Sequence, residues 1–230
     1  MPGEFMTLEE AAKFLNMSAG AIKLLTEKGF ARRDNEGRLL VKTAEIRDWL
    51  HRGIKDFDVN QLNTLEKDYG EHIIAIHPLL DPKCIKRRIV GRSKLAVIDE
   101  LIDLLIEHGG VDRKYRKTIR SDVIERERMC STALADGVAI PHPREPLTGI
   151  IKKPRLVLGL SWKGVDFESF DGKLTHVVVL LCTPKLDLHL QLLARLTKLL
   201  RNLKMRVALC RAKDERGVIE VFASFEKAIS

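Results

Sequence analysis

The spacing of apolar side chains divides the chain into a small N-terminal zone and a large C-terminal zone. Residues 6–52 show short helical patterns separated by turn signals, and residues 53–71 are polar and irregular, which predicts a linker. Residues 72–230 alternate strand-like and helix-like runs, which is typical of an α/β domain. We therefore predict a small domain over 6–52, a linker over 53–71 and an α/β domain over 72–230.

Apolar runs in the large zone predict four strands and four helices. The run VVVLLC is apolar on both faces, so we expect a buried sheet with flanking helices. The predicted strands are Cys84–Val90, Arg155–Ser161, Thr175–Cys182 and Met205–Arg211. The predicted helices are Ser93–His108, Lys114–Glu127, Leu188–Leu200 and Glu215–Ala228.

Capping and turn signals in the small zone follow the order helix, tight turn, helix, hairpin, helix. Thr7 with Glu10 three residues later predicts a capping box at the first helix. Gly37 follows Asp34-Asn35 in a hairpin signal. This order predicts a winged helix-turn-helix domain. The predicted elements are helices over Leu8–Leu15 and Ala19–Lys28, a hairpin within Ala31–Val41, and a third helix over 44–50.

Charge and composition narrow the choice of partners only slightly. The net charge of +8 favours acidic partners, nucleic acid among them, without naming one. Residues 1–52 hold nine basic and eight acidic side chains, so this zone contributes only +1. Basic side chains cluster instead at 83–94 and 113–120. Without a run of about 18 apolar residues we expect no membrane span, and four widely spaced cysteines indicate a reduced, cytoplasmic protein with thiols mostly in its core.

The stretch RERMCSTALADGVAIPHPR, from Arg126 to Arg144, carries the most informative chemistry. Two prolines bracket His142, and each fixes its own φ and pushes the preceding residue to extended geometry. Gly137 can adopt a positive φ just upstream. A stiff loop that presents one imidazole suits nucleophilic chemistry on phosphorus, because the ring must attack in line. We therefore take His142 as a candidate phosphoryl acceptor.

Groups elsewhere in the sequence could support such an acceptor. His189 begins the apolar helical run HLQLLARLTKLL, and the field of a helix N-terminus favours anions and a neutral ring. Arg126 can offer two parallel donors to phosphoryl oxygens. Ser131 and Thr132 could add hydroxyl donors. We expect these four side chains to surround a phosphoryl group bound at His142.

A metal or nucleotide site is the weaker interpretation. His142, His176 and His189 could in principle bind zinc, but they lack zinc-ligand spacing and an accompanying carboxylate. No P-loop, GxGxxG motif or Ser/His/Asp elbow occurs in the sequence. We therefore predict no metal and no cofactor.

These motifs resemble the mannitol/fructose-type IIA domains of the bacterial phosphotransferase system, including the nitrogen-regulatory branch. The resemblance covers about 72–230 and rests on RExxxST, DGVAIPH, FDG and HLQLLARL in that order. It implies that His142 takes a phosphoryl group from a phosphohistidine carrier protein and that His189 and Arg126 support the transfer. It also implies a mixed-sheet α/β fold. Asp136 replaces the family's usual Asn, so its carboxylate must point away from the phosphate or be paired.

The small zone resembles the excisionase and MerR-like winged helix-turn-helix family through TLEEAAKFLNMS and EIRDWL. The resemblance implies a second helix in the major groove of DNA and a wing on the phosphates. That second helix lacks the Arg, Asn and Gln side chains that read bases. DNA binding and a protein-contact role therefore both stay open. The candidate DNA-contacting residues are Lys23, Arg32, Arg33 and Arg38, of which the arginines suit phosphate contacts.

Together these observations predict a cytoplasmic, phosphorylatable regulator. The phosphorylation state of His142 would modulate an N-terminal domain that binds DNA or regulated target proteins, with no membrane partner. The alternative is a IIA phosphocarrier of a sugar uptake system that passes phosphate to a IIB domain, and a third interpretation is a pure protein-interaction module. The sequence does not identify the sugar, the DNA site, the targets or the oligomeric state.

Overall fold

The computed structural model describes residues 5–15, 31–42, 57, 59–60, 62–63 and 74–229. The chain divides into two compact units, Met1–Ile73 and Ile74–Ser230. Most of the predicted linker over 53–71 lies outside the described residues. The three-segment division of the chain therefore stays a prediction.

The larger unit is built on a mixed four-stranded sheet with the order β4-β6-β7-β5. The long strands β6 and β7 pair antiparallel at its centre, and each short outer strand runs parallel to its neighbour. The central strands are largely buried, which explains their continuous apolar runs. The strands are β4 (Ile85–Lys86), β5 (Val138–Ala139), β6 (Arg155–Val165) and β7 (Thr175–Cys182).

Five described helices accompany this sheet. The first packs on β6 and begins where Ser93 accepts the N–H of Ala96, as its sequence predicts. No helix in the described ranges is long and apolar enough to cross a bilayer. The helices are α2 (Lys94–His108), α3 (Arg116–Met129), α4 (Leu186–Leu200), α5 (Leu203–Arg211) and α6 (Glu215–Ile229), numbered after α1 of the smaller unit.

Two of the predicted strands are wrong in whole or in part. Met205–Arg211 is not a strand but lies within α5, which begins where Asn202 accepts the N–H groups of Lys204 and Met205. Its buried residues Met205 and Leu209 are four positions apart, a helical spacing that a short apolar run hides. The predicted strand Cys84–Val90 is reduced to β4, because Pro82–Cys84 forms a 3₁₀ turn instead.

The four cysteines are free thiols, as expected. Cys84 and Cys182 are buried, whereas Cys130 and Cys210 are half-buried. Burial raises the pKa of the Cys182 thiol to about 12 and that of Cys84 to about 11. These two thiols are core residues rather than reactive groups.

The described part of the smaller unit is a three-stranded antiparallel sheet with one helix, α1 (Leu8–Leu15). The capping box is confirmed: the Thr7 N–H donates to the Glu10 carboxylate at 2.8 Å, and the Glu10 N–H donates to Thr7 Oγ1 at 3.2 Å. The hairpin is confirmed as well, whereas the first strand was not predicted. The strands are β1 (Phe5–Thr7), β2 (Ala31–Arg33) and β3 (Leu39–Lys42), in the order β1-β3-β2.

The second and third predicted helices of this unit lie outside the described residues. A winged helix-turn-helix is therefore not established by the sheet and α1. The predicted order of its elements stays a prediction.

Candidate functional site

The loop that carries His142 is hydrogen-bonded to the segment after α3 on one side and to β7 on the other. Gly137, with φ of 82°, begins it, and a Cβ there would lie 3.0 Å from the Leu174 carbonyl oxygen. The Ile140 N–H donates to the Thr132 carbonyl at 3.1 Å, and the Pro141 carbonyl accepts the N–H of Leu181 at 3.0 Å. The rigid setting that the two prolines predict is thus reinforced by bonds to neighbouring segments.

Hydrogen bonds at both ring nitrogens define the state of the His142 imidazole. Nδ1 lies 2.7 Å from the Ile140 carbonyl oxygen, and Nε2 lies 3.2 Å from Nε of Arg126. A carbonyl can only accept and a guanidinium can only donate, so Nδ1 carries the proton and Nε2 carries the lone pair. Nε2 is consequently the nucleophilic atom of this ring.

Arg126 lies in the last turn of α3, with only 2% of its surface exposed. Besides its contact with His142, its Nη1 donates to the Cys130 carbonyl at 2.7 Å. The guanidinium thus joins the His142 ring to the segment that follows α3. A positive charge held this close to Nε2 suits an incoming phosphoryl group.

His189 lies directly beside the His142 ring. The two imidazole centroids are 4.8 Å apart, with planes tilted by 56°. Burial, reinforced by the positive charge of Arg126, lowers the pKa of His189 to about 3. The ring is therefore neutral, as the sequence predicts, but burial rather than the helix terminus is the main cause. Helix α4 also begins at Leu186, so the His189 N–H is already bonded to the Lys185 carbonyl.

The hydroxyls of Ser131 and Thr132 donate to partners on two other segments, the residues after β6 and helix α3. Ser131 Oγ donates to the Phe167 carbonyl, and Thr132 Oγ1 donates to the Glu127 carboxylate at 2.5 Å. The structure therefore brings His142, His189 and Arg126 together, while the two hydroxyls donate their protons to the Phe167 carbonyl and the Glu127 carboxylate. Sequence reasoning missed Glu127, although its place beside Arg126 in the RExxxST motif was a signal.

Asp136 is paired, as the resemblance requires. Its carboxylate lies 2.6 Å from Nζ of Lys173 and 3.6 Å from Nη2 of Arg206. The hydrogen bond from Lys173 lowers the pKa of Asp136, so the carboxylate stays ionised and neutralised by its partners. The Asp136 N–H donates to Asp171 at 2.8 Å, which explains why the FDG motif accompanies the His142 loop.

Most of the candidate DNA-contacting arginines are engaged locally. Arg38 pairs with Asp34 at 2.8 Å and with Glu36 at 3.0 Å, and Nη1 of Arg33 donates to the Gly37 carbonyl at 2.9 Å. Arg32 is exposed on the hairpin, and Lys23 lies outside the described residues. The hairpin therefore offers less positive charge to a partner than its sequence predicts.

The two basic clusters of the larger unit are also partly engaged in internal contacts. Arg116 and Arg120 form ion pairs across the α2–α3 contact, which stabilises the packing of these helices. In the cluster over 83–94, three basic side chains are bonded to a carboxylate or a backbone carbonyl. These three are Lys86 with Glu100, Lys94 with Glu168, and Arg87 with the Ala212 carbonyl.

Comparison with known proteins assigns the larger unit. A family model described as "Phosphoenolpyruvate-dependent sugar phosphotransferase system, EIIA 2" matches residues 78–225. The chain belongs to this family. The match leaves the N-terminal unit unassigned.

Curated relatives come from both branches of the family. The chain is 32% identical over 156 residues to the fructose-specific EIIABC component of Bacillus subtilis, covering 67% of this chain and 24% of that protein. It is 30% identical over 156 residues to the nitrogen regulatory protein of Bradyrhizobium diazoefficiens, covering 65% of this chain and 95% of that protein. The chain thus spans about a quarter of the Bacillus protein but nearly all of the Bradyrhizobium one.

Solved structures confirm the IIA-type fold. The nitrogen regulatory protein IIA-Ntr from Neisseria meningitidis matches with a TM-score of 0.57 and 23% identity, over 64% of this chain and 98% of that chain. The mannitol IIA of Escherichia coli, in its complex with phosphorylated IIB, matches with a TM-score of 0.55 and 19% identity. The match covers 63% of this chain and 97% of that chain. At these identities the similarity establishes the mixed-sheet fold alone.

Proposed function

We propose that the larger unit is a phosphocarrier in which His142 Nε2 accepts a phosphoryl group from a phosphohistidine carrier protein. The observation that supports this most directly is the arrangement around one ring. Nδ1 is held by the Ile140 carbonyl, while Nε2 faces the guanidinium of Arg126 beside the neutral ring of His189. A nucleophilic nitrogen flanked by donors is what phosphoryl transfer requires.

The transfer step can be written in terms of these atoms. Arg126 Nε first releases the lone pair of Nε2, and the guanidinium turns its donors to the phosphoryl oxygens. Nε2 then forms the new N–P bond. The P–N bond of the donor breaks, and its electron pair returns to the donor ring nitrogen. His142 Nδ1 keeps its proton throughout, and His189 stabilises the transferring group by hydrogen bonding without adding charge.

The second part of the proposal assigns a regulatory role to phosphorylation. Phosphorylation of a side chain adds roughly −1.5 to −2 charges at neutral pH, which is enough to change a docking surface. We assign its readout to the N-terminal unit, acting on DNA or on target proteins. Relatedness to a nitrogen regulatory protein over 95% of that protein's length supports a regulatory role for the larger unit.

The alternative function is that of a sugar-system phosphocarrier, which would pass the phosphoryl group to a IIB domain. The 32% identity to a fructose-specific EIIABC component favours it. Both functions use the same acceptor. They differ only in what happens after His142 is phosphorylated.

Incubation of the full chain with phosphorylated carrier protein tests the acceptor, with intact-mass detection of an acid-labile phosphate. One phosphate on the wild type and none on His142→Ala supports the proposal, whereas equal labelling of both refutes it. Addition of an unphosphorylated fructose-type IIB domain then separates the two functions. Rapid loss of the phosphate to IIB favours the sugar carrier, and retention favours the regulator.

A further inference from the structure

The Glu127 carboxylate has two bonds to the same residue of the loop after α3. It is 4% exposed and accepts the N–H of Thr132 at 3.1 Å and its hydroxyl at 2.5 Å. Lys94 Nζ lies 3.6 Å away on the other side. A buried carboxylate is costly unless donors surround it, and hydrogen bonds to an ionised group are the strong ones. Thr132 is therefore held firmly in place.

A continuous path of hydrogen bonds leads from Thr132 to the acceptor ring. The Thr132 carbonyl accepts the N–H of Ile140 at 3.1 Å. The Ile140 carbonyl in turn accepts the Nδ1 proton of His142 at 2.7 Å. The orientation of the Ile140 carbonyl thus depends on a peptide segment that Glu127 anchors.

This path decides which nitrogen of His142 is nucleophilic. Either nitrogen of a neutral imidazole can carry the proton, and the partner of one nitrogen determines the tautomer. If the Ile140 carbonyl turns away, the ring can place its proton on Nε2 and lose the lone pair that attacks phosphorus. The adjacent residue Arg126 bonds the Cys130 carbonyl of the same segment, so a loosened loop also misplaces the guanidinium.

We propose that Glu127 is a positioning residue that keeps His142 in the Nδ1–H tautomer, acting through Thr132 and Ile140. The proposal rests on the proposed role of His142 as phosphoryl acceptor. In this proposal Thr132 does not bind phosphate. The Thr132 side chain and N–H bond Glu127, and the Thr132 carbonyl bonds the loop that carries His142. Glu127 itself touches none of the reacting atoms.

The test is a long-range ¹H–¹⁵N correlation spectrum of the full chain labelled with ¹⁵N-histidine, which reports the tautomer of each ring without any phosphoryl transfer. Wild-type His142 should show a single Nδ1–H tautomer. Glu127→Ala should produce a mixture of the two tautomers. Glu127→Gln, whose amide oxygen can still accept from Thr132, should stay close to wild type.

A matched control is available on the same helix. Glu125 is an exposed carboxylate paired with Arg144 at 3.2 Å, and Glu125→Gln should leave the His142 tautomer unchanged. In the kinetic arm, phosphorylation by the carrier should slow by about 10- to 100-fold in Glu127→Ala, by analogy with the loss caused by removing a partner that orients a metal-bound histidine. Glu127→Gln should recover most of this loss.

A uniform Nδ1–H tautomer in folded Glu127→Ala overturns the proposal, even if phosphorylation slows. If Glu127→Ala does not fold, Thr132→Val decides, because it removes only the hydroxyl donor and should produce a smaller admixture of the second tautomer. An unchanged spectrum in Thr132→Val would then refute the path. Failure of the proposed function gives a different result. Wild-type His142 would then acquire no phosphate, while its spectrum would still show a single tautomer.

Discussion

The two units of this protein differ in how they use arginine, which is buried beside a histidine in one and exposed beside carboxylates in the other. In the larger unit Arg126 is 2% exposed and donates to Nε2 of His142. In the smaller unit the Arg38 side chain is 61% exposed and pairs with acidic neighbours in its own hairpin. A buried guanidinium directed at a nucleophile defines a site for an anion, whereas an exposed one with local carboxylates contributes little beyond the hairpin.

The strongest test of this contrast is removal of the acceptor. His142→Ala should abolish labelling by phosphorylated carrier protein, because it removes the ring whose Nε2 lies 3.2 Å from Nε of Arg126. His176→Ala is the matched control, since that ring bonds the Ser161 carbonyl on the sheet and should leave labelling intact. Intact-mass measurement decides, and full labelling of His142→Ala would contradict the assignment.

Removal of a supporting group should have the next largest effect. Arg126→Ala and His189→Ala should each slow transfer by about 10²-fold, a typical loss for one transition-state donor. His189→Gln keeps a donor and should lose less. Arg128→Ala, an exposed arginine two residues further along the chain, should transfer at the wild-type rate. Wild-type rates in Arg126→Ala and His189→Ala would mean that both side chains are structural.

The buried state of His189 predicts a dependence of stability on pH. Its pKa is lowered to about 3 in the fold, so the unfolded chain binds a proton that the folded chain does not between pH 3 and the ordinary value near 6.5. Above pH 6.5 the ring is neutral in both states and does not lower the free energy of unfolding. Below pH 6.5 its protonation in the unfolded chain lowers the free energy of unfolding by up to about 1.4 kcal/mol per pH unit.

Denaturant unfolding of the wild type and His189→Gln at pH 7.5 and pH 5 measures this contribution. The free energy of unfolding should fall more steeply for the wild type between the two values. Parallel losses in the two proteins would show that the ring is protonated in the fold.

The smallest effects are expected in the hairpin. If the full chain binds duplex DNA, Arg32→Ala should reduce the slope of log affinity against log salt concentration by about one, because one phosphate contact is lost. Arg38→Ala should change this slope little. A salt titration with both variants makes the comparison. Absence of binding by folded full-length protein at low salt would reject the DNA role and leave the protein-contact role.

Local signals in the sequence were enough to predict much of the molecule. The Thr7–Glu10 capping box and the helix over Lys94–His108 depend on residues close together in the chain, so neighbouring side chains determine them. The His142 motif was informative for the same reason, because two prolines and a glycine shape a loop wherever it lies. The alternation of runs predicted an α/β domain, whereas the mixed-sheet IIA-type fold was predicted only by the family resemblance of the motifs.

Other features depended on partners that are distant in sequence or on competition between local forces. Met205–Arg211 is helical because the Asn202 cap and the packing of α5 against its neighbours outweigh its strand-like appearance. The low pKa of His189 comes from burial beside Arg126, 63 positions earlier in the chain. The tautomer of His142 likewise depends on a hydrogen-bond path that begins at Glu127. Residue types can therefore be read from the sequence, but which atom of a ring is nucleophilic depends on contacts that only the folded chain forms.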